Sequence, residues 1–148
     1  MEELVLYTHS FDETMKLGEL MAKTVPNGTT ILLLGDLGAG KTTFVRGVAR
    51  GLNINEVIQS PTFNIMKIYL KGNRPLIHID AYRLADIDTD IGLDEYIGYE
   101  TGITVIEWPM YIEKLLPNDA YKMTIERAGD NDRKITVVAP KEVLEGLR

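Results

Sequence analysis

The stretch Gly35-Asp36-Leu37-Gly38-Ala39-Gly40-Lys41-Thr42 constrains this chain more than any other part of it. It spells G-x-x-x-x-G-K-[ST], a loop whose backbone N–H groups cradle phosphates. An apolar run, residues 30–34, enters the loop, and a helix-like stretch, residues 43–50, leaves it. Successive N–H groups then point inward while the following helix brings its positive dipole end to the same spot. Gly35, Gly38 and Gly40 permit conformations and approach distances that a Cβ would block. In this motif Lys41 reaches the β- and γ-phosphates and the Thr42 hydroxyl ligates Mg²⁺, with Ala39 and Thr43 in the same turn. Accident produces such a match in roughly one chain in 200 of this length. The strand before it and the helix after it make accident rarer still, so nucleotide binding is the expectation.

The bulk properties narrow the class. A chain of 148 residues with 45% apolar and 26% charged residues has the size and composition of one globular domain. The formal charge of −6 argues against an autonomous nucleic-acid binder, which needs a basic face to neutralise phosphates. With no cysteine, disulfides, thiol catalysis and Cys-based zinc sites are excluded. The acidic start, Met1-Glu2-Glu3-Leu4, lacks a signal-peptide core and no apolar run approaches membrane-spanning length, so a soluble cytoplasmic protein is expected.

Along the chain, residues 4–8 read as a strand. Ser10 and Glu13 form a capping box for a helix carrying Thr14, Leu17, Leu20, Met21 and Thr24 at helical spacing. Pro26-Asn27-Gly28 ends it. Residues 30–34 are apolar on both faces, as a covered parallel strand should be. Phe44, Val45, Val48 and Leu52 give the next helix its buried side, with Gly51 as a plausible stop. Residues 64–70 and 76–82 read as strands joined by a hairpin turn, and 93–98 as a short helix. Strand 103–107 precedes a short helix, 109–116. Strands 121–127 and 134–139 flank a turn at 129–132, and a helical turn starts at Pro140. The expectation is a single three-layer α/β domain of P-loop NTPase type, residues 1–148, with a mostly parallel mixed sheet and antiparallel edge strands.

Phosphoryl chemistry at such a loop needs a Mg²⁺-directed carboxylate at the end of a neighbouring strand. Asp80 and Glu107 both end apolar runs, and ligands of open α/β sheets bind at the carboxyl ends of the strands. At least one of them is expected to serve the metal; spacing leaves open which touches it and which positions a water. Period-two spacing puts His78, Asp80 and Tyr82 on one strand face, so His78 could orient Asp80, sense the phosphate or be a plain hydrogen-bonded residue. Arg83 could meet a phosphate or a partner or be solvated, and Arg46 and Arg50 read as solvated, with partner contact as the alternative. Thr62 lies in a loop 20 residues beyond Thr42, where a hydroxyl can sense the γ-phosphate, or Ser60-Pro61-Thr62 is a tight turn. Trp108 either closes over the site beside Glu107 or is buried core.

Taken together, GDLGAGKTT at 35–43, SPTF at 60–63, HIDAYRL at 78–84, IEWP at 106–109 and the early pattern of Thr8, Ser10 and Thr14 resemble TsaE. This is the small bacterial P-loop ATPase family of tRNA threonylcarbamoyladenosine synthesis. The resemblance implies that Asp80 and Glu107 serve a Mg²⁺–ATP site and that Thr62 belongs to a switch-like loop. It implies that Trp108 lies near the nucleotide, that Thr8 and Ser10 flank the adenine, and that Arg133 approaches it from the tail. It also implies action with a TsaB–TsaD pair, with tRNA met only through that complex and ATP hydrolysis resetting it between turnovers. A small P-loop kinase is the alternative, but the stretch 85–95 that could form its lid is acidic rather than basic. A guanine-specific switch would want an N/T-K-x-D motif, which is absent.

Overall fold

The computed structural model describes residues 1–36, 38–59, 61, 65–84 and 92–148. Among these, seven strands form one sheet in the order β1-β7-β6-β2-β5-β4-β3. They are β1 (Glu2–Thr8), β2 (Thr29–Leu34), β3 (Met66–Tyr69), β4 (Leu76–Asp80), β5 (Ile103–Glu107), β6 (Tyr121–Arg127) and β7 (Arg133–Ala139). The central four, β6, β2, β5 and β4, run parallel. β1 and β7 on one side and β3 on the other add antiparallel pairings. This is the mixed α/β sheet expected from strands that alternate with helices early in the chain and with hairpins late.

Helices α1 (Phe11–Thr24), α2 (Lys41–Gly51) and α3 (Lys141–Leu147) cover one face. There Leu17, Met21, Phe44 and Val48 pack on Ile31, Leu33, Val105 and Met123. The other face of β2, β5 and β4 is closed by 3₁₀ turns, Tyr82–Leu84, Leu93–Glu95 and Pro109–Leu115, whose Leu84, Leu93 and Ile112 meet Ile77, Ile79 and Ile106. Buried on both sides, β4 and β5 read in sequence as continuous apolar runs rather than alternating ones. On the same face of the outer strands, Val5 and Tyr7 are exposed. No described helix is long and apolar enough to cross a membrane.

Four local expectations change. α2 begins at Lys41, two residues early, because Gly40 turns the chain into it from a left-handed conformation (φ 108°). Gly51 is the last helical residue rather than a stop outside the helix. A Cβ there would stand 2.7 Å from the Glu19 carbonyl oxygen, so small size at the α1–α2 contact is what the position needs. β4 ends at Asp80, not at Tyr82: the Asp80 Oδ1 accepts the Tyr82 N–H at 3.0 Å and bends the chain into a 3₁₀ turn. Tyr82 therefore leaves the face it was expected to share with His78 and Asp80. The helix expected over 93–98 is a single 3₁₀ turn, Leu93–Glu95.

Candidate functional site

The sheet aims its parallel strands at one edge. β2, at its centre, hands the chain to the glycine-rich turn, and α2 carries it away. A Cβ built on Gly38 would meet nothing within 4 Å, so the turn opens onto free space, and Gly38 itself takes φ 78°. Behind it Ala39 is buried, its N–H donating to the Asp36 carbonyl at 3.1 Å. A cleft of about 620 Å³ lies in front, reached by Gly38, Gly40, Lys41, Thr42 and Thr43 from the loop side. Asp80, Glu107 and Trp108 face it from the strand ends.

The two acids meet there because β4 and β5 pair in parallel with Asp80 opposite Glu107. Asp80 and Glu107 are 6% and 4% exposed. Alternation puts Leu76, and with it His78 and Asp80, on the α1–α2 side of the sheet, while Ile77 and Ile79 face the other way. Lys41, only 7% exposed, brings Nζ to 3.6 Å from Glu107 Oε1, and His78 Nε2 stands 2.7 Å from Oε2. Burial pushes the Glu107 carboxyl up. The His78 hydrogen bond, the charge His78 carries when protonated and the Lys41 ammonium outweigh it, and the carboxyl lies below its ordinary 4.5.

Trp108 ends β5 in a left-handed conformation, φ 55° and ψ 50°, which is strained for a bulky residue and costs of order 1–3 kcal/mol. That turn swings the indole out of the strand, half-buried, with Lys41 Nζ 4.4 Å from its ring centroid. Tyr82 and Tyr111 pack on it at centroid distances of 5.1 and 6.3 Å. Trp108 is thus a wall of the cleft rather than core. Trp108 and Lys41 also border a second hollow of about 500 Å³, lined further by Asp36, Met110 and Glu126.

The remaining expected residues sit behind or beside the cleft. Arg133, 4% exposed, donates from Nε to the Ala39 carbonyl at 2.8 Å. Its Nη1 reaches the carbonyls of Gly129, Asp130 and Asp132 at 3.4, 3.2 and 2.9 Å. Thr8 shares a 2.7 Å hydroxyl contact with Thr14 in the interior, and Ser10 caps α1 by accepting the Glu13 N–H at 3.1 Å. The three are neighbours, Thr8 lying opposite Arg133 in the β1–β7 register, but none lines the cleft. Thr62, together with Ser60 and Phe63 of its loop, lies outside the described residues. Two cleft residues escaped the sequence reading, Phe11 and Tyr82. Phe11 carried a usable signal: it is a large aromatic directly after the cap, off the Thr14–Leu17–Met21 stripe, and it is 58% exposed. Arg50 is exposed, as expected, and pairs with Glu19 across the α1–α2 contact.

Among the described residues no three His, Cys, Asp or Glu side chains gather as a metal cage. One hydroxyl and two carboxylates beside an open phosphate cradle instead suit Mg²⁺, which takes one or two carboxylates together with phosphate oxygens.

Comparison with known proteins identifies the family and the fold. Residues 8–135 match the family described as threonylcarbamoyl adenosine biosynthesis protein TsaE. The tRNA threonylcarbamoyladenosine biosynthesis protein TsaE of Bacillus subtilis is 44% identical over 139 residues, 94% of this chain and 87% of that protein. The protein of the same name from Aquifex aeolicus is 37% identical over 93% of this chain and 96% of its own length. The crystal structure of YdiB from Bacillus subtilis superposes with a TM-score of 0.84 at 37% identity, covering 99% of this chain and 94% of that one. The fold is that of a P-loop NTPase, and the chain belongs to the TsaE family.

Proposed function

We propose that this chain is an ATP-binding and ATP-hydrolysing subunit required for threonylcarbamoyl modification of the adenosine next to the anticodon in tRNA. It works with a TsaB–TsaD pair and resets that complex between turnovers, its residues 1–148 acting as one ATPase domain in the cytoplasm. The carrying observation is that Lys41 and Glu107 are buried together at the mouth of the glycine-rich turn, beside Thr42 and Asp80. The role in tRNA threonylcarbamoyladenosine biosynthesis that the relatives' names carry supports the pathway. The charge of −6 supports meeting tRNA through the complex rather than directly.

Lys41 rests against Glu107 and the Trp108 face at the mouth of the cleft, and a phosphate there can take its ammonium in exchange for the carboxylate. The exchange frees Glu107 Oε1 toward the cleft, where the carboxylate, already ionised at neutral pH, can orient or deprotonate a water. Thr42 and Asp80 would hold Mg²⁺, joined by Glu107 where its Oε1 meets the metal rather than the water; when bound, the ion neutralises phosphate charge. Gly38 and Gly40 leave the loop N–H groups open to the phosphate oxygens. Thr8, Ser10 and Arg133 shape the adenine side by fixing the β1–α1 corner and the back of the loop, while Trp108 and Thr62 border the phosphates.

No Arg or Lys side chain of this chain other than Lys41 lines the cleft among the described residues, so hydrolysis should be slow until partners complete the site. Phosphate release from Mg²⁺–ATP, with and without TsaB–TsaD, tests the reading. Stimulation by the pair is expected; absence of both hydrolysis and stimulation overturns it. Transfer of the γ-phosphate to a small-molecule acceptor without phosphate release would establish the kinase alternative instead.

A further inference from the structure

We infer that His78 is a positioning residue for Glu107, gripping Oε2 so that Oε1 is the oxygen presented to the cleft. The inference rests on the ATPase reading above. In the β4–β5 register His78 stands opposite Val105 and Asp80 opposite Glu107, so His78 and Glu107 are diagonal neighbours on one sheet face. Long side chains reach each other across that diagonal, and here Nε2 and Oε2 are 2.7 Å apart.

The rest of the ring has no polar work to do. His78 is 0% exposed, and Nδ1 is buried without a hydrogen-bond partner. A carboxylate can only accept, so the proton between the two groups sits on Nε2. In the neutral ring Nδ1 is then a bare lone pair, cheaper to bury than an unpaired N–H. An unpaired buried nitrogen still costs stability, which an apolar residue in the same space would avoid. The imidazole therefore earns its place by what it does to Glu107.

Lys41 is the other partner of that carboxylate, on Oε1 at 3.6 Å. When Lys41 turns to a phosphate, Oε1 loses its partner while Oε2 keeps His78. His78 thus holds the carboxylate plane at the moment when Oε1 must meet a water or a metal. Groups that orient a reacting ligand in this way typically change rate or metal affinity by 10–100-fold.

The test uses the full chain with the partner pair present, and compares His78→Gln with His78→Asn. The Gln amide nitrogen reaches close to the place of Nε2, whereas the Asn amide stops near Nδ1 and cannot touch Glu107. His78→Gln should keep kcat within about fivefold of the unsubstituted protein, and His78→Asn should lower it about 10–100-fold. Affinity for a non-hydrolysable ATP analogue should stay within about threefold in both. Equal kcat in the two folded variants, or parallel loss of analogue affinity and turnover, overturns the inference. Should His78→Asn fail to fold, His78→Gln decides alone: a folded protein that loses more than about fivefold in kcat overturns it, and one that does not supports it. If the unsubstituted protein hydrolyses no ATP, the ATPase reading has failed and this inference falls with it. Normal turnover that ignores both substitutions sinks the inference alone.

Discussion

Two buried cations flank the same glycine-rich turn, and they are bonded in opposite ways. Arg133, behind the loop, gives its guanidinium to backbone carbonyls, one on Ala39 and three in the β6–β7 turn. Lys41, in front, has a carboxylate 3.6 Å away and an indole face, with open cleft beyond them. Neutral carbonyls in a tight turn cannot be exchanged without unmaking the turn. A carboxylate facing a cleft can be traded for a phosphate. The same buried charge thus braces the loop on one side and leaves it responsive on the other.

Breaking the responsive side should have the largest effect. Glu107→Gln keeps an acceptor for His78 but loses the charge; turnover should fall about 100-fold or more in a phosphate-release assay. Its unfolding free energy should stay within about 1 kcal/mol. Unfolding of this variant would return Glu107 to a structural role. Lys41→Ala removes a charge-assisted contact worth about 1.5–3 kcal/mol, and calorimetry should find ATP binding roughly 10–100-fold weaker. Unchanged affinity would contradict the exchange of partners.

The bracing side should answer in stability. Arg133→Ala leaves the buried Ala39 carbonyl without its donor, and denaturant unfolding should register a loss of about 2 kcal/mol. Full stability with weakened nucleotide binding would instead make Arg133 a ligand residue, and the contrast between the two cations would disappear. Phe11 sharpens the comparison, since its ring lies 5.9 Å from the Arg133 guanidinium carbon yet faces the cleft. Phe11→Ala should leave the melting temperature unchanged and weaken adenine nucleotides by roughly fivefold if a base stacks there.

The smallest effect concerns acid. The Glu107 carboxyl titrates below its ordinary 4.5 in the folded protein. Its pairing therefore contributes in full above pH 4.5 and is lost as pH falls through the lower folded value. The melting temperature of the nucleotide-free protein should drop over that acidic window, and Glu107→Gln should flatten the drop. An identical acid profile in both proteins would remove Glu107 from the account.

What could be read from the chain follows the range of the forces involved. The glycine-rich turn was legible because its backbone demands are met by adjacent residues. Strands Ile103–Glu107 and Tyr121–Arg127 were legible to the residue, being apolar runs bounded by turn signals. Asp80 and Glu107 could be singled out as strand-end acids near a phosphate loop. The chain alone could not say that β4 and β5 are neighbours, and that pairing makes Glu107, not Asp80, the partner of His78. Nor could it show Arg133 bonded to a residue 94 positions away, or Gly51 held small by another helix. By itself the sequence determined the loop, the polarity of each strand face and the candidate acids, because those depend on local backbone freedom and periodicity. Only the tertiary structure decided which charges meet, since strand order and helix approach are set by packing between segments far apart in the chain.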